Sequence, residues 1–169
     1  MGEFIATMLA VLHIENLVNH LHHLPTLAAW HAAEWRYSVP DNPDRQALLR
    51  SRTSSGAAFP QTFVALIDDT PAGFVSLLAN ALPADAPPEL RQASPWLAGL
   101  LVDPQRRGQG IGNALVRHAY TTALSAGHDA VHLFTATPGY YTPAGWRPIA
   151  QLTVHDVPHT VMSYEFTNL

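Results

Sequence analysis

Between Val102 and Gly112 the chain reads Val-Asp-Pro-Gln-Arg-Arg-Gly-Gln-Gly-Ile-Gly, placed after an apolar strand-like run, Trp96–Val102, and directly before an amphipathic helical one, Gln109–Ala126. That order leaves few options for the backbone. Pro104 lacks an N–H and ends the strand. Gly108, Gly110 and Gly112 carry no Cβ, so the amides of the turn can converge on one anionic group. The helix that follows adds its unpaired N-terminal N–H groups and the positive end of its dipole. Arg106 or Arg107 adds a full charge, and the whole is a grip for a pyrophosphate.

Three known turns could produce this pattern. A nucleotide P-loop needs Lys-Ser or Lys-Thr after its last glycine, but Asn113 and Ala114 follow Gly112. A dinucleotide fingerprint needs Gly-x-Gly-x-x-Gly and an acid at the end of the next strand; here the spacing is Gly-x-Gly-x-Gly, and Asp129 stands at the start of that strand. The remaining pattern, Arg107-x-x-Gly110-x-Gly112 with Val102-x-Pro104 ahead of it, closely resembles the acetyl-coenzyme A motif of the GNAT superfamily of N-acetyltransferases. A second segment, Pro138-Gly-Tyr140-Tyr141-Thr-Pro-Ala-Gly145-Trp146, resembles the same family's other signature, an aromatic-Tyr pair followed by Gly and an aromatic residue. The competing reading makes Tyr140 and Tyr141 core aromatics and Gly145 a helix cap. With their flanking strands the motifs cover roughly Pro60 to the C-terminus; the first third resembles the family only loosely.

Composition narrows the class. With 169 residues, 47% hydrophobic and 13% charged, the chain can bury one real core, and a single domain over 1–169 is expected, with residues 1–8 set aside as an appended or disordered leader. Glu3 stands where a signal peptide carries basic residues, so no export signal is read, and a cytoplasmic location is expected. A net charge of −4 gives no footprint for nucleic acid, and no apolar run is long enough for a membrane span. The absence of cysteine removes disulfides and thiolate chemistry.

Blocks of strand-like and helix-like sequence alternate, which makes the chain mixed α/β. Leu9–Asn16 is expected as a strand, and Leu24–Trp35 and Pro43–Arg52 as helices, the second capped by Asp41 or Asn42. Thr62–Ile67 and Ala72–Leu78 form a hairpin around Asp68-Asp69-Thr70-Pro71, and Ala81–Ser94 is expected as a proline-rich surface loop, or a loop with one short helical turn. Trp96–Val102, the helix Gln109–Ala126 and the strand Val131–Thr135 make a right-handed crossover between parallel strands. Ile149–His155 and Thr160–Phe166 close the chain as antiparallel strands turning at Val157-Pro158. The resemblance implies the same outline: a mixed, largely antiparallel sheet, splayed at a central parallel pair, with helices on both faces.

It also implies a chemistry. Acetyl-CoA would be the cosubstrate, its pantetheine arm on Leu100, Leu101 and Val102 and its pyrophosphate on Arg107, Gly108, Gln109, Gly110, Ile111, Gly112 and Asn113, with the thioester at an opening between Leu100 and Leu133. Tyr141 stands where the family places a general acid for the leaving thiolate, and a main-chain N–H of Leu100 or Leu101 would steady the oxyanion. Many relatives carry a glutamate on the strand before the glycine turn, but Ala98-Gly99-Leu100-Leu101 has no titratable group. Glu34 and His31, a helical turn apart, are the candidates for the base; the alternative is an ordinary exposed pair. His20, His22 and His23 match no zinc spacing and read as solvated, so no metal is expected. His132 lies beside the expected thioester, whereas His155 and His159 reach substrate only if the last hairpin folds over the site. Asp85 and Glu89 in the proline-rich loop could draw a cationic amine. Arg45, Arg50 and Arg52 read as the polar face of a helix, or as a receiver of an acidic peptide end.

The expected function is N-acetyl transfer from acetyl-CoA to a small-molecule or peptide amine, by direct attack in a ternary complex and without a metal. A homodimer is compatible with this. The alternative is a non-catalytic acyl-CoA-binding module, favoured by the missing strand glutamate and opposed by Tyr141.

Overall fold

A computed structural model describes residues 10–36, 44–56 and 58–167. Seven strands form one sheet: β1 (Leu12–Asn16), β2 (Gln61–Ile67), β3 (Thr70–Leu78), β4 (Trp96–Val102), β5 (Ala130–Thr135), β6 (Arg147–Val154) and β7 (Val157–Glu165). They run in the order β1-β2-β3-β4-β5-β7-β6. Every neighbouring pair is antiparallel except β4 and β5. Among the described residues three α-helices cover the sheet: α1 (Leu24–Glu34), α2 (Arg45–Ser51) and α3 (Ile111–Ser125).

The central strands are apolar on both faces because both faces are covered. Along β2, Phe63 and Ala65 point into a core with Ile111, Leu115, Val116, Ala119 and Ala123 of α3, while Val64 and Leu66 point into a second core with Leu24, Leu27 and Ala28 of α1 and Leu49 of α2. The mixed sheet with helices on both faces is therefore as expected.

In β4 the alternation breaks. Leu97 packs into the α3 core, whereas Leu101, four residues on, packs into the opposite one. An unbroken strand would send both to one face. Pairing explains the inversion: Ser76 faces Ala98 and Phe74 faces Leu101, so two residues of β4 stand against one of β3, and Gly99 adopts φ +64. This is a bulge at glycine, with its extra residue outside the ladder. The sequence reading treated β4 as regular, although an isolated glycine in a strand is a known bulge signal.

The parallel pair touches at a single register, Trp96 with His132, held by the His132 amide donating to the Pro95 carbonyl at 2.9 Å. Beyond it the two strands part, and β5 pairs instead along its whole length with β7.

Several boundaries are corrected. The first strand begins at Leu12; the expected start at Leu9 and the leader 1–8 lie outside the described residues, as do Asp41, Asn42 and Pro43. Helix α2 starts at Arg45 with Asp44 as its cap, the carboxylate accepting from the Ala47 amide at 2.9 Å. The first hairpin turns on Asp68 and Asp69 alone, at φ +50 and +60, which frees Thr70 and Pro71 to begin β3. The last hairpin turns on His155 and Asp156, at φ +49 and +62, so Val157-Pro158 are strand rather than turn. Asp tolerates the left-handed region better than most residues, which is why these short turns form. Helix α3 begins at Ile111 because Gly110, at φ +81, caps it in the left-handed conformation.

Candidate active site

Where β4 and β5 part, a cavity of about 620 Å3 opens, lined by Ala98, Gly99 and Leu100 of β4 and by Leu133, Phe134 and Thr135 of β5. The expected opening between Leu100 and Leu133 is present. Helix α1 contributes His31 and Glu34 to one wall, Arg52 joins them from the end of α2, and Tyr141 and Val116 close the other side. Tyr141 and Val116 also line a second cavity of about 270 Å3, against Asn113, Arg117, Tyr120 and Trp146. The two cavities meet at these shared residues, on the side of the α3 N-terminus.

The glycine turn leads directly into α3. Asp103 accepts from the Gln105 amide at 3.1 Å and pairs with Arg106 at 3.8 Å, which occupies that arginine. Arg107 is the more exposed of the two: its Nε donates to the Val102 carbonyl at 3.2 Å, and its Nη2 lies 3.8 Å from Glu34 Oε2. A Cβ built on Gly108 or Gly110 would meet nothing within 4 Å, so the turn borders open space. A side chain on Gly112 would instead collide with the Tyr140 hydroxyl. Gly110 offers no side-chain cap to α3, and the first amides of the helix have no helical acceptor. The first amides of α3 and the Arg107 side chain thus lie next to each other in sequence at an open surface, where a helix N-terminus is chemically suited to an anion.

Tyr141 is held by rings. It packs edge-on against Tyr140 at 4.9 Å and against Trp146 at 5.9 Å between centroids. Burial pushes its hydroxyl up to about 12, with neighbouring Tyr140 adding a smaller push, so it stays protonated throughout the neutral range. Trp146 is buried, and its Nε1 has no acceptor among the described residues.

Glu34 and His31 part company in three dimensions. Glu34 is half-exposed and reaches Arg107 at 3.8 Å. His31 is 2% exposed, and burial, with Arg52 and Arg45 beside it, drives its pKa down to about 4, so it is neutral at pH 7. His132 is not a lining residue of the cavity; its Nδ1 lies 3.4 Å from the Pro95 carbonyl. His155 and His159 do line it, so the last hairpin folds over the site after all. Asp85 and Glu89 are absent from its walls. Leu101 is buried in the core, leaving only its main chain for a ligand, and Trp96 is a core residue whose Nε1 donates to the Ala93 carbonyl at 2.7 Å. His20, His22 and His23 bring their ligand atoms within 4.8 Å of one another, and His20 bonds Glu15 at 2.9 Å, on the far end of α1 from the cleft.

Two features of the site escaped the sequence reading, the Gly99 bulge and the seat of Tyr140 on Gly112, whereas Arg52, read as a helix face or a receiver of an acidic peptide end, is a wall residue of the cleft. Only the first had a signal, the glycine within a strand.

Comparison with known proteins agrees with this geometry. The family model described as the acetyltransferase (GNAT) family matches residues 24–143. The chain is 30% identical over 131 residues to peptidyl-lysine N-acetyltransferase YjaB of Salmonella typhimurium, covering 74% of this chain and 80% of that one. Among solved structures, aminoglycoside 6′-acetyltransferase type Ii superposes with TM-score 0.72 at 16% identity, over 93% of this chain and 99% of that one. The Salmonella typhimurium protein yncA, solved with its cofactor acetyl-CoA, does so with TM-score 0.66 at 15% identity, over 94% and 95%. At such identities the structural matches establish the fold. Among the described residues no helix is long and apolar enough to cross a membrane.

Proposed function

The chain belongs to the acetyltransferase (GNAT) family, and from that premise we propose that it transfers an acetyl group from acetyl-CoA to the primary amine of a small molecule or peptide, by direct attack within a ternary complex. The observation that carries this reading is a cleft between parting parallel strands, walled by Tyr141, which shares Val116 and Tyr141 with a second cavity that reaches Asn113 in the first turn of α3, next to the glycine turn. A relative with peptidyl-lysine activity supports an amine acceptor, and a structural neighbour holding acetyl-CoA supports the cosubstrate.

The residues present suit that cosubstrate. Arg107, Gly108, Gln109, Gly110, Ile111, Gly112 and Asn113 would hold the pyrophosphate through main-chain amides and one guanidinium. Leu100, Leu101 and Val102 would pair with the pantetheine amides as a neighbouring strand would. The bulge favours this, because it takes main-chain groups of β4 out of the ladder and turns them toward the cleft. A freed amide at Leu100 or Leu101 would steady the developing oxyanion.

The bound thioester supplies an activated acyl group: a C–N bond forms, the C–S bond breaks, the amine gives up a proton and the sulfur gains one. Tyr141 is assigned to the sulfur. At about 12 its hydroxyl is a weaker acid than a free thiol near 8.5. It therefore acts first as a hydrogen-bond donor to developing negative charge and passes its proton as the C–S bond breaks. Glu34, on the opposite wall, is assigned to the amine's proton. In the unliganded protein it neutralises Arg107; phosphate oxygens arriving on Arg107 would release it.

The alternative, an acyl-CoA-binding module without turnover, differs in one measurement. Free thiol released from acetyl-CoA in the presence of an amine panel establishes catalysis. Acetyl-CoA binding without thiol release, across the panel, overturns it in favour of the module.

A further inference from the structure

The acceptor wall of the cleft has an unusual charge balance. Arg52 lines the cavity, and its Nη1 lies 3.7 Å from where a side chain of Gly99 would begin, directly over the bulge of β4. Its guanidinium has no hydrogen bond or ion pair among the described residues. A second guanidinium, Arg45, is buried behind it, with Nη1 3.4 Å from His31 Nδ1 and Nη2 donating to the Trp35 carbonyl at 3.2 Å. The histidine between them is neutral at pH 7. Glu34 is the one carboxylate among the lining residues, and it faces Arg107. Arg52 therefore stands on this wall without a matching anion among the described residues. A half-buried unpaired guanidinium is costly, and a ligand that pairs with it recovers that cost.

The position of Arg52 is enforced from below. It follows α2, and its carbonyl accepts from the Thr62 hydroxyl at 2.8 Å. Thr62 spends its proton on that bond, so Ser76, 2.8 Å away, must donate to it. Thr62 and Ser76 are both fully buried. A satisfied buried network of this kind fixes geometry, here between β2, β3 and the end of α2. It holds a charged group where stability alone gives no reason for one.

We propose that Arg52 is an anion subsite and that the acceptor is an amine carrying a carboxylate within a few carbons of the reacting nitrogen, as in an amino acid. The carboxylate pairs with the fork of Arg52, and the amine is thereby set above the bulge at Gly99, beside the acetyl group. The distance sets the class: Arg52 lies against the bulge itself, so the anion must be close to the amine rather than at the far end of a long chain. This rests on the acetyltransferase reading above.

The test uses the full chain with saturating acetyl-CoA, free amino acids and their carboxamides as matched pairs, and thiol release as the readout. The carboxylate member of the best pair should exceed its amide by roughly 10- to 100-fold in kcat/KM, the range of a charge-assisted hydrogen bond. Arg52→Gln should abolish most of that ratio, and Arg52→Lys should keep part of it, because charge remains while the fork is lost. Affinity for acetyl-CoA, measured by calorimetry, should not move in either variant. A ratio unchanged in Arg52→Gln, a preference for the amide, or a stronger preference for phosphoethanolamine than for any carboxylate overturns the proposal. If acetyl-CoA itself does not bind, the acetyltransferase reading fails instead. Should acetyl-CoA bind with no turnover, calorimetric titration of the amino acids into the CoA-loaded protein decides: binding that requires the carboxylate and disappears in Arg52→Gln supports the subsite, and its absence overturns it.

Discussion

Glu34 and Arg107 meet across the mouth of the cleft, Oε2 to Nη2 at 3.8 Å, joining the last turn of α1 to the glycine turn before α3. Both side chains are about half exposed, so the pair itself adds little stability. Its interest lies in competition, because phosphate oxygens would claim the same guanidinium.

Glu34→Gln should therefore act on binding and on rate in opposite directions. Acetyl-CoA affinity should rise by up to about fivefold, since an exposed ion pair is worth at most about 1 kcal/mol. kcat should fall by roughly 10² or more through loss of the base. Calorimetry and steady-state kinetics separate the two, and an unchanged kcat removes Glu34 from the catalytic assignment.

Gly110→Glu should abolish acetyl-CoA binding. The open space over Gly110 leaves room for the side chain, but it would put a carboxylate at the pyrophosphate site. Gly110→Ala separates charge from strain: a non-glycine residue at φ +81 costs about 1 kcal/mol of stability, with a smaller loss of affinity. Equal affinity in a folded Gly110→Glu variant would show that the phosphates bind elsewhere.

Tyr141→Phe leaves the ring contacts with Tyr140 and Trp146 in place and removes only the hydroxyl. kcat should fall by roughly 10² or more while acetyl-CoA affinity barely changes. Equal turnover, with chemistry shown to limit the rate, would mean that the thiolate leaves unaided.

His31 makes stability depend on pH. Its folded pKa, about 4, lies below the ordinary value of 6.5, so the unfolded chain binds more protons between these values. Above pH 6.5 the group is neutral in both states and has no effect. As pH falls from 6.5 to about 4, stability should decline, by about 3 kcal/mol at most. His31→Gln keeps an acceptor for Arg45 and should flatten that part of the profile. Urea titrations across pH 4 to 7 measure it, and an identical slope in the variant would assign the loss to other groups.

What the sequence determined by itself is local. The spacing of Arg107, Gly110 and Gly112 announces a glycine turn that starts a helix, because glycine geometry and a helix start are properties of a few adjacent residues. The burial of β2 on both faces follows from its unbroken apolar run. The place of Tyr141 on the cleft wall and the opening between Leu100 and Leu133 were legible through motif order and a strand-helix-strand crossover.

Only the tertiary structure decided the rest, because those features depend on partners distant in the chain. That β7 enters the sheet between β5 and β6 is a choice among pairings of similar apolar strands. The inversion of β4 at Gly99 exists only against the register of β3. His31 and Glu34 share a helix and the same spacing rule, yet one is buried between two arginines and the other reaches the glycine turn. Arg52, one of several arginines near one helix, becomes a wall of the cleft because Thr62 and Ser76 fix the end of that helix over the bulge. Charge and propensity can be read along a chain; which charge is left unpaired in a cleft is settled only when the chain has folded.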